Sequence, residues 1–476
     1  MAEGPCRDFF RHWKTLATQR ERTMLGKKER LIEELYQDDP ERADAVVFGR
    51  RTDLSRRGFL GGAGLAAMGA AVGGPVVFGA QMPGGLIPAA FAQDAKKETA
   101  SAAPATPQGP QLLQFPGKDP NLVLLGDKPL VAETPEHLLD DDTTPTAKFF
   151  IRNNGQIPEA AKEPDKWKLV VDGEVNTKLE LTLGELKSKF KPVTQRMVLE
   201  CGGNGRSFFT PKARGNQWTN GGAGCAEWTG VRVADVLKAA GVKPSAVFSG
   251  HYGADPHLSG DPQKVALSRG VPMKKLMDEN NLIVWAMNGK PLENIHGAPV
   301  RLLIPGWPGS VSSKWLTRIW VRDKEHDGQG MGGTSYRVAI KPIVPGGKAD
   351  PANFKDLESM PVRSIITNPA NGAKFAAGTK ELKLRGASWA GDHTVKSVDV
   401  SINFGASWQR VTLSQPKNRY DWQRWTATLK LPSDGYYEVW ARATDSQGMM
   451  QPHVAGNWNP QGYGGNPMHR IAVLVG

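Results

Sequence analysis

The sequence predicts two folded regions in series: a mixed α+β domain over about residues 130–341 and an all-β, immunoglobulin-like sandwich over 361–476. Three observations lead there. In the first region short strand and helix signals alternate without a dominant period. In the second the hydrophobic pattern changes to a period of two, as in Val398-Asp399-Val400-Ser401-Ile402 and Trp425-Thr426-Ala427-Thr428-Leu429, the mark of strands with one buried face. Between the two, residues 342–360 form a Pro- and Gly-rich crossover, a composition that interrupts regular structure. A chain of 476 residues is long enough to bury both cores without disulfide staples.

From the N-terminus, residues 1–92 read as a leader. Ser55-Arg56-Arg57-Gly58-Phe59-Leu60 is a twin-arginine export motif, and a Gly/Ala-rich apolar stretch follows it from Gly61 to about Ala80. The Gly-rich, loose character of that stretch argues against a lasting transmembrane helix, and Ala90-Phe91-Ala92 offers a small-x-small cleavage site that releases a chain beginning near Gln93. Periplasmic export in the folded state, without stable membrane insertion, is therefore expected. The segment before the motif, including Gly26-Lys27-Lys28-Glu29-Arg30, reads as a charged, solvated helix. Residues 1–92 hold thirteen Lys and Arg against eleven Asp and Glu, so most of the net charge of +12 belongs to the exported part. A basic protein there suits anionic small molecules and acidic protein partners, and nucleic acid is not an expected client. Residues 93–129 are rich in Ala, Pro, Gln and Lys, lack periodicity, and read as a linker or arm.

Inside the α+β region, Trp167–Gly173 reads as a strand and turn, and Thr182-Leu183-Gly184-Glu185 as a capping box opening a helix. Val233–Ala240 reads as a helix stopped by Gly241. In the sandwich region, Glu438–Ala443 adds a further strand and Ser433-Asp434-Gly435 a turn.

The chemistry centres on Cys201. It stands in Leu199-Glu200-Cys201-Gly202-Gly203-Asn204-Gly205-Arg206, where glycines allow a bulky group close to the backbone and an arginine favours thiolate over thiol. No second cysteine lies at zinc or iron–sulfur spacing, so a metal held here brings most of its own ligands, as an organic metal cofactor does. The other cysteine of the exported chain is Cys225. A disulfide between the two is the alternative in an oxidising compartment, but it leaves the Gly- and Arg-rich setting of Cys201 without a purpose.

With these residues in view, the chain resembles the sulfite oxidase family of molybdenum enzymes over nearly all of its exported length. The cysteine motif C-x-G-N-x-R is matched by Cys201, Gly203, Asn204 and Arg206. Phe149-Phe150-Ile151-Arg152-Asn153-Asn154 resembles F-F-x-R-N-H, with Asn154 in place of the histidine. His296-Gly297-Ala298-Pro299-Val300-Arg301 resembles H-G-x-P-x-R, and Ser312-Ser313-Lys314-Trp315-Leu316 the next cofactor-contacting stretch. The resemblance implies a molybdopterin-binding, sulfite oxidase-like α+β domain followed by an immunoglobulin-like dimerisation domain. It implies molybdenum on Cys201, and molybdopterin against Phe150, Asn153, Asn154, Asp261, His296, Arg301, Ser312, Ser313 and Lys314, with Asp255 competing with Asp261 for the aspartate role. Arg152, Arg206, Trp218 and Tyr336 become the catalytic-pocket residues, and Gln461 stands where many sulfite-oxidising members carry arginine in W-N-x-R-G.

Loss of that charge points to a less densely charged substrate. There is no C-x-x-C-H haem signal in the sequence, so electrons leave to a separate protein. Together with export, these features look most like the molybdenum subunits of sulfane dehydrogenases in Sox thiosulfate oxidation. That likeness implies carrier-bound sulfane as substrate, a sulfur-carrier protein and a c-type cytochrome as partners, and a homodimer or heterotetramer. The close alternative is a sulfite dehydrogenase acting on free sulfite. A non-enzymatic, secreted immunoglobulin-type binding protein is the alternative of a different class.

Overall fold

The computed structural model describes residues 109–476; the twin-arginine leader, its cleavage site and residues 93–108 lie outside the described residues. Two five-stranded sheets form the body of the first domain. One runs Lys290–Pro291, Leu282–Met287, Ala223–Arg232, Val193–Glu200, with Arg301–Leu303 also on Leu282–Met287. The other runs Leu179–Thr182, Lys168–Gly173, Leu316–Arg322, Phe248–Gly253, Ser268–Arg269, and contains a parallel pair between Lys168–Gly173 and Leu316–Arg322. Their shared core includes Leu169, Val171, Ile283, Leu302 and Ile319.

Two helices cover that core, and both begin and end where the local chemistry dictates. Leu183–Lys189 starts on a complete capping box, in which the Thr182 hydroxyl accepts from the Glu185 amide and the Glu185 carboxylate accepts from the Thr182 amide. Val233–Ala240 buries Val233, Ala234, Val236, Leu237 and Ala240 and stops at Gly241, whose φ of 69° is the left-handed conformation glycine adopts cheaply.

The arm expected over 93–129 is, from residue 109 onward, part of this domain. Leu113 and Leu122 are buried beside Ile151 and Ile295, and Val123–Asp127 pairs with Leu130–Glu133. Its apolar residues follow no helix or strand period, yet Leu113, Phe115, Leu122 and Leu124 join one cluster with Ile151 and Ile295. The crossover at 342–360 is also partly structured, since Phe354–Asp356 pairs back onto Arg337–Ala339.

The C-terminal region is a two-sheet sandwich of four and five strands. Leu382, Leu384, Val398, Val400, Val439, Ala441, Ile471 and Val473 point inward from both sheets around Trp425, as expected where alternate residues of each strand face the opposing sheet. Among the described residues no helix is long and apolar enough to cross a membrane.

Candidate active site

Cys201 ends the strand Val193–Glu200 and begins the glycine turn. Its amide donates to the Gly222 carbonyl at 2.8 Å and its carbonyl accepts from the Asn204 amide at 2.9 Å. Two glycines of this turn leave room for their neighbours, and at Gly205 glycine is required. A Cβ on Gly203 would run into the Arg206 guanidinium, and Gly205 has a φ of 84° with the Gly465 carbonyl against it. Both Cys201 and Cys225 are free and buried, so the two form no disulfide with each other. Cys225 donates to Asp421 at 3.4 Å, and burial raises its thiol well above the usual range.

The turn is also tied to the sandwich. Glu200, 3 % exposed, accepts from Arg363 Nε at 2.9 Å, from Trp389 Nε1 at 2.7 Å and from Asn204 Nδ2 at 2.9 Å. Arg363 completes its own shell with Asn220 Oδ1 at 3.1 Å and the carbonyls of Asn204 and Gly465 at 3.1 and 2.5 Å. Arg363 and Trp389 belong to the sandwich, so the cysteine turn is held from both domains.

Cys201 lines a cavity that opens to solvent. Phe150, Arg152, Asn153, Asn154, His296, Arg301, Ser312, Ser313, Lys314 and Tyr336 share its wall. Five sequence segments, read separately, thus converge on one space.

The electrostatics of this wall are unusual for an interior. Lys314 is bonded only to neutral oxygens, Asn153 Oδ1 at 2.7 Å and the Ile295 carbonyl at 2.6 Å. Burial, with Arg301 nearby, pulls its ammonium well below the ordinary lysine range. Arg301 donates to the carbonyls of His296 and Ser312 at 3.0 and 3.1 Å, and burial brings its guanidinium down to about 9. Burial, then the surrounding cations, keeps His296 neutral. Arg152 Nη1, Arg301 Nε and Ser310 Oγ are buried without a hydrogen-bond partner. Among the described residues, Arg152, Arg301 and Lys314 form no ion pair with a carboxylate. Buried charges are costly unless paired, so three unpaired cations and orphaned donors around one cavity call for an anionic ligand with several acceptor oxygens. The phosphate of a molybdopterin has that chemistry, and the residues fit the group.

Tyr336 donates to Asn154 Oδ1 at 3.0 Å, so the asparagine that replaces the motif histidine orients the tyrosine hydroxyl.

Four expected site residues stand off the cavity. Asp261 lies in a half-exposed turn, accepting from the Gln263 amide at 2.9 Å and facing Lys264 at 3.5 Å. Asp255 lines the wall in its place, and burial raises its carboxyl. Trp218 is fully buried behind the wall, edge-on to Phe150 at 5.9 Å. Arg206 is spent on carbonyls, donating to Gln461 at 2.6 Å and Asn216 at 2.8 Å. The Gln461 side chain reaches Thr334 Oγ1 at 3.5 Å and does not line the cavity.

The structure also adds residues that sequence patterns missed. Lys118, from the supposed arm, is buried with its Nζ 2.6 Å from both His296 Nε2 and Glu293 Oε2. Its neighbours Phe115-Pro116-Gly117 gave no periodic signal. Ser310 and Leu267 also line the wall.

Two family models match the chain: an oxidoreductase molybdopterin-binding domain over residues 154–330 and a Mo-co oxidoreductase dimerisation domain over 355–476. Sulfite oxidase of Gallus gallus is 31 % identical over 77 % of this chain and 81 % of its own length. Mitochondrial sulfite oxidase of Drosophila melanogaster is 32 % identical over 73 % of this chain; the chain spans 62 % of that relative. The crystal structure of the sulfane dehydrogenase SoxCD from Paracoccus pantotrophus is similar at a TM-score of 0.61 and 25 % identity, over 79 % of this chain and 94 % of that one. Two matched domains in the right order and a cysteine-centred cavity built for an anionic cofactor lead to one assignment: the chain belongs to the sulfite oxidase family of molybdopterin oxidoreductases, with molybdenum and molybdopterin as its cofactor.

Proposed function

We propose that this chain is a periplasmic oxidoreductase that oxidises reduced sulfur, with sulfane sulfur on a carrier protein as substrate and a c-type cytochrome as electron acceptor. The observation that carries the sulfur-oxidising reading is the Cys201 cavity with its unpaired cations. When bound, the molybdenum cofactor supplies two-electron oxygen transfer to sulfur. The chain's own residues do the rest. Cys201 offers the thiolate ligand, and Arg301, Lys314 and Asp255 hold the pterin side of the cavity. Arg152 and the Tyr336 hydroxyl face the substrate side, where Arg152 attracts an oxyanion and Tyr336 holds or moves a proton at its own oxygen.

Carrier-bound sulfane is supported by the likeness to SoxCD over 94 % of that chain, by the twin-arginine leader, and by a neutral asparagine, Asn154, at the tyrosine. Gln461 lends less support than its sequence position suggested, because its side chain stands away from the cavity. Free sulfite is the second reading, favoured by the sulfite oxidase relatives. Assembly as a dimer through the sandwich follows from the dimerisation-domain match, and a heterotetramer forms once the cytochrome joins. A non-enzymatic immunoglobulin-type role has no use for the cysteine turn or its cations.

The deciding experiment compares specificity constants for sulfite, thiosulfate and a sulfane-loaded carrier, each with and without a c-type cytochrome. Turnover of the loaded carrier that requires the cytochrome supports the reading. Efficient turnover of free sulfite with an inert carrier replaces it by sulfite dehydrogenation.

A further inference from the structure

Behind Tyr336 lies a cation that no sequence motif announces. Arg269 sits on the edge strand Ser268–Arg269 and is 1 % exposed. Its guanidinium lies over the Tyr336 ring, 4.8 Å from the centroid. Tyr336 also stacks on Tyr463, with centroids 5.1 Å apart and planes 18° from parallel. The Arg206 guanidinium lies 5.3 Å from the Tyr463 centroid. Two stacked tyrosines thus each carry a buried guanidinium against the ring, and Tyr336 lines the cavity wall.

Arg269 is poorly satisfied as a structural residue. Its one hydrogen bond runs from Nη1 to the Gly330 carbonyl at 2.7 Å. Its Nε is buried without a partner, and the Asp356 carboxylate, which favours its charge from a distance, is held by Arg337 Nε at 2.8 Å and forms no ion pair with Arg269 among the described residues. Stacking on an aromatic face recovers part of the cost of burial, but it does not replace a counter-ion. An apolar side chain of similar volume would suit this position better if folding were all that mattered.

We infer that Arg269 is a positioning residue of the substrate side of the cavity: through Tyr336 it fixes the hydroxyl and adds positive potential for an oxyanion. Two features make this specific. The charge is set behind the ring, so it attracts an anion without filling the space that a carrier-borne group needs. The stack also joins the cavity to the sandwich, because Tyr463 and Arg206 meet where Arg206 donates to the Gln461 carbonyl. The inference rests on the proposed role of the cavity as a site for oxidised and partly oxidised sulfur groups, whether the sulfur arrives free or on a carrier.

The test uses the molybdenum-loaded protein with inorganic sulfate as an inert oxyanion probe, measuring affinity by calorimetry and melting temperature in parallel. Arg269→Met is expected to weaken sulfate about tenfold, the scale of losing one charge interaction across a partly wet pocket. It is also expected to melt at or above the wild-type temperature, since a buried charge without an ion-pair partner has been removed. Arg269→Lys keeps the charge and is expected to stay within about threefold of wild type for sulfate, a gap well under one tenfold step. A purely structural role predicts the opposite pattern, in which Arg269→Met melts lower and sulfate affinity is unchanged; that result overturns the inference, as does equal loss of sulfate affinity in the Lys and Met variants. Failure of the wild-type protein to bind sulfate removes the oxyanion reading of the cavity, and the role of Arg269 with it.

Discussion

Replacing Arg363 by methionine tests whether the sandwich holds the metal-binding turn. Arg363 is fully buried and gives its Nε to Glu200, the residue before Cys201. Removing it strands the Glu200 carboxylate in the interior with two neutral donors, Trp389 Nε1 and Asn204 Nδ2. Breaking a buried pair from one side costs about 3–5 kcal/mol. At roughly 2 °C per kcal/mol, suited to a large cooperative unit, the melting temperature falls by about 6–10 °C. Adding Glu200→Gln removes the stranded charge, so the double variant recovers about 2 kcal/mol relative to the sum of the single effects. The assay is a double-mutant cycle by thermal and denaturant unfolding, with molybdenum content measured on each purified protein. Arg363→Met is expected to lose metal because the turn loses its anchor. A single variant that melts within about 2 °C of wild type, under one kcal/mol on the same scale, and keeps its metal refutes the reasoning. Strict additivity of the two substitutions refutes the coupling alone.

Further outcomes follow from the same geometry. Cys201→Ser is expected to abolish molybdenum-dependent turnover while the cofactor-free wild type and variant melt alike, since the change exchanges a single atom of a buried side chain; full turnover in that variant removes the ligand role. Lys314→Met is expected to retain or raise stability in the cofactor-free protein, while cofactor retention after gel filtration drops, because an unpaired buried ammonium favours the ligand over the fold. Burial raises Glu133 to about 7, against hydrogen bonds from the Thr219 amide and hydroxyl that lower it. A raised folded value means that the native state binds the extra proton, so stability is full below the ordinary carboxyl range and declines as pH rises towards 7. Glu133→Gln should flatten that decline, which amounts to up to about 3 kcal/mol; an unchanged pH profile between 4.5 and 7 assigns it elsewhere. Sedimentation of the full chain should show a dimer, and a strict monomer at micromolar concentration counts against the assembly.

Much of the fold was legible because its signals are local. The Thr182–Glu185 capping box, the Gly241 stop and the period-two runs of the sandwich act over a few residues, and the structure places them where the pattern does. The site was legible where residue types cluster in sequence: the segments around Arg152, Cys201, His296 and Lys314 each carry a motif, and the fold brings all four to one cavity. What escaped was decided by long-range packing. Lys118 stands in an aperiodic stretch and meets His296 across 178 positions. Asp255 and Asp261 are six positions apart with similar flanks, and only the path of the loop turns one inward. Gln461 shows the limit most clearly, since a motif position fixes the backbone, here the carbonyl held by Arg206, while the side chain goes where the local packing sends it.

The same balance of forces explains why the site could not be read as a list of contacts. A fold optimised for stability alone pairs its buried cations or replaces them with apolar groups. Around this cavity and behind its Tyr336 wall Arg152, Arg269, Arg301 and Lys314 remain without carboxylate ion pairs among the described residues, while at the junction with the sandwich buried charges are paired, as Arg363 is with Glu200 and Arg196 with Asp421. The contrast within one molecule separates the two uses of charge. Paired charges at the junction fix the geometry of the cysteine turn, and unpaired charges at the cavity leave their attraction for a ligand. Anything that binds the folded state alone stabilises it by an amount that grows with the logarithm of its affinity, so loading the anionic cofactor should raise the melting temperature of the cofactor-free protein.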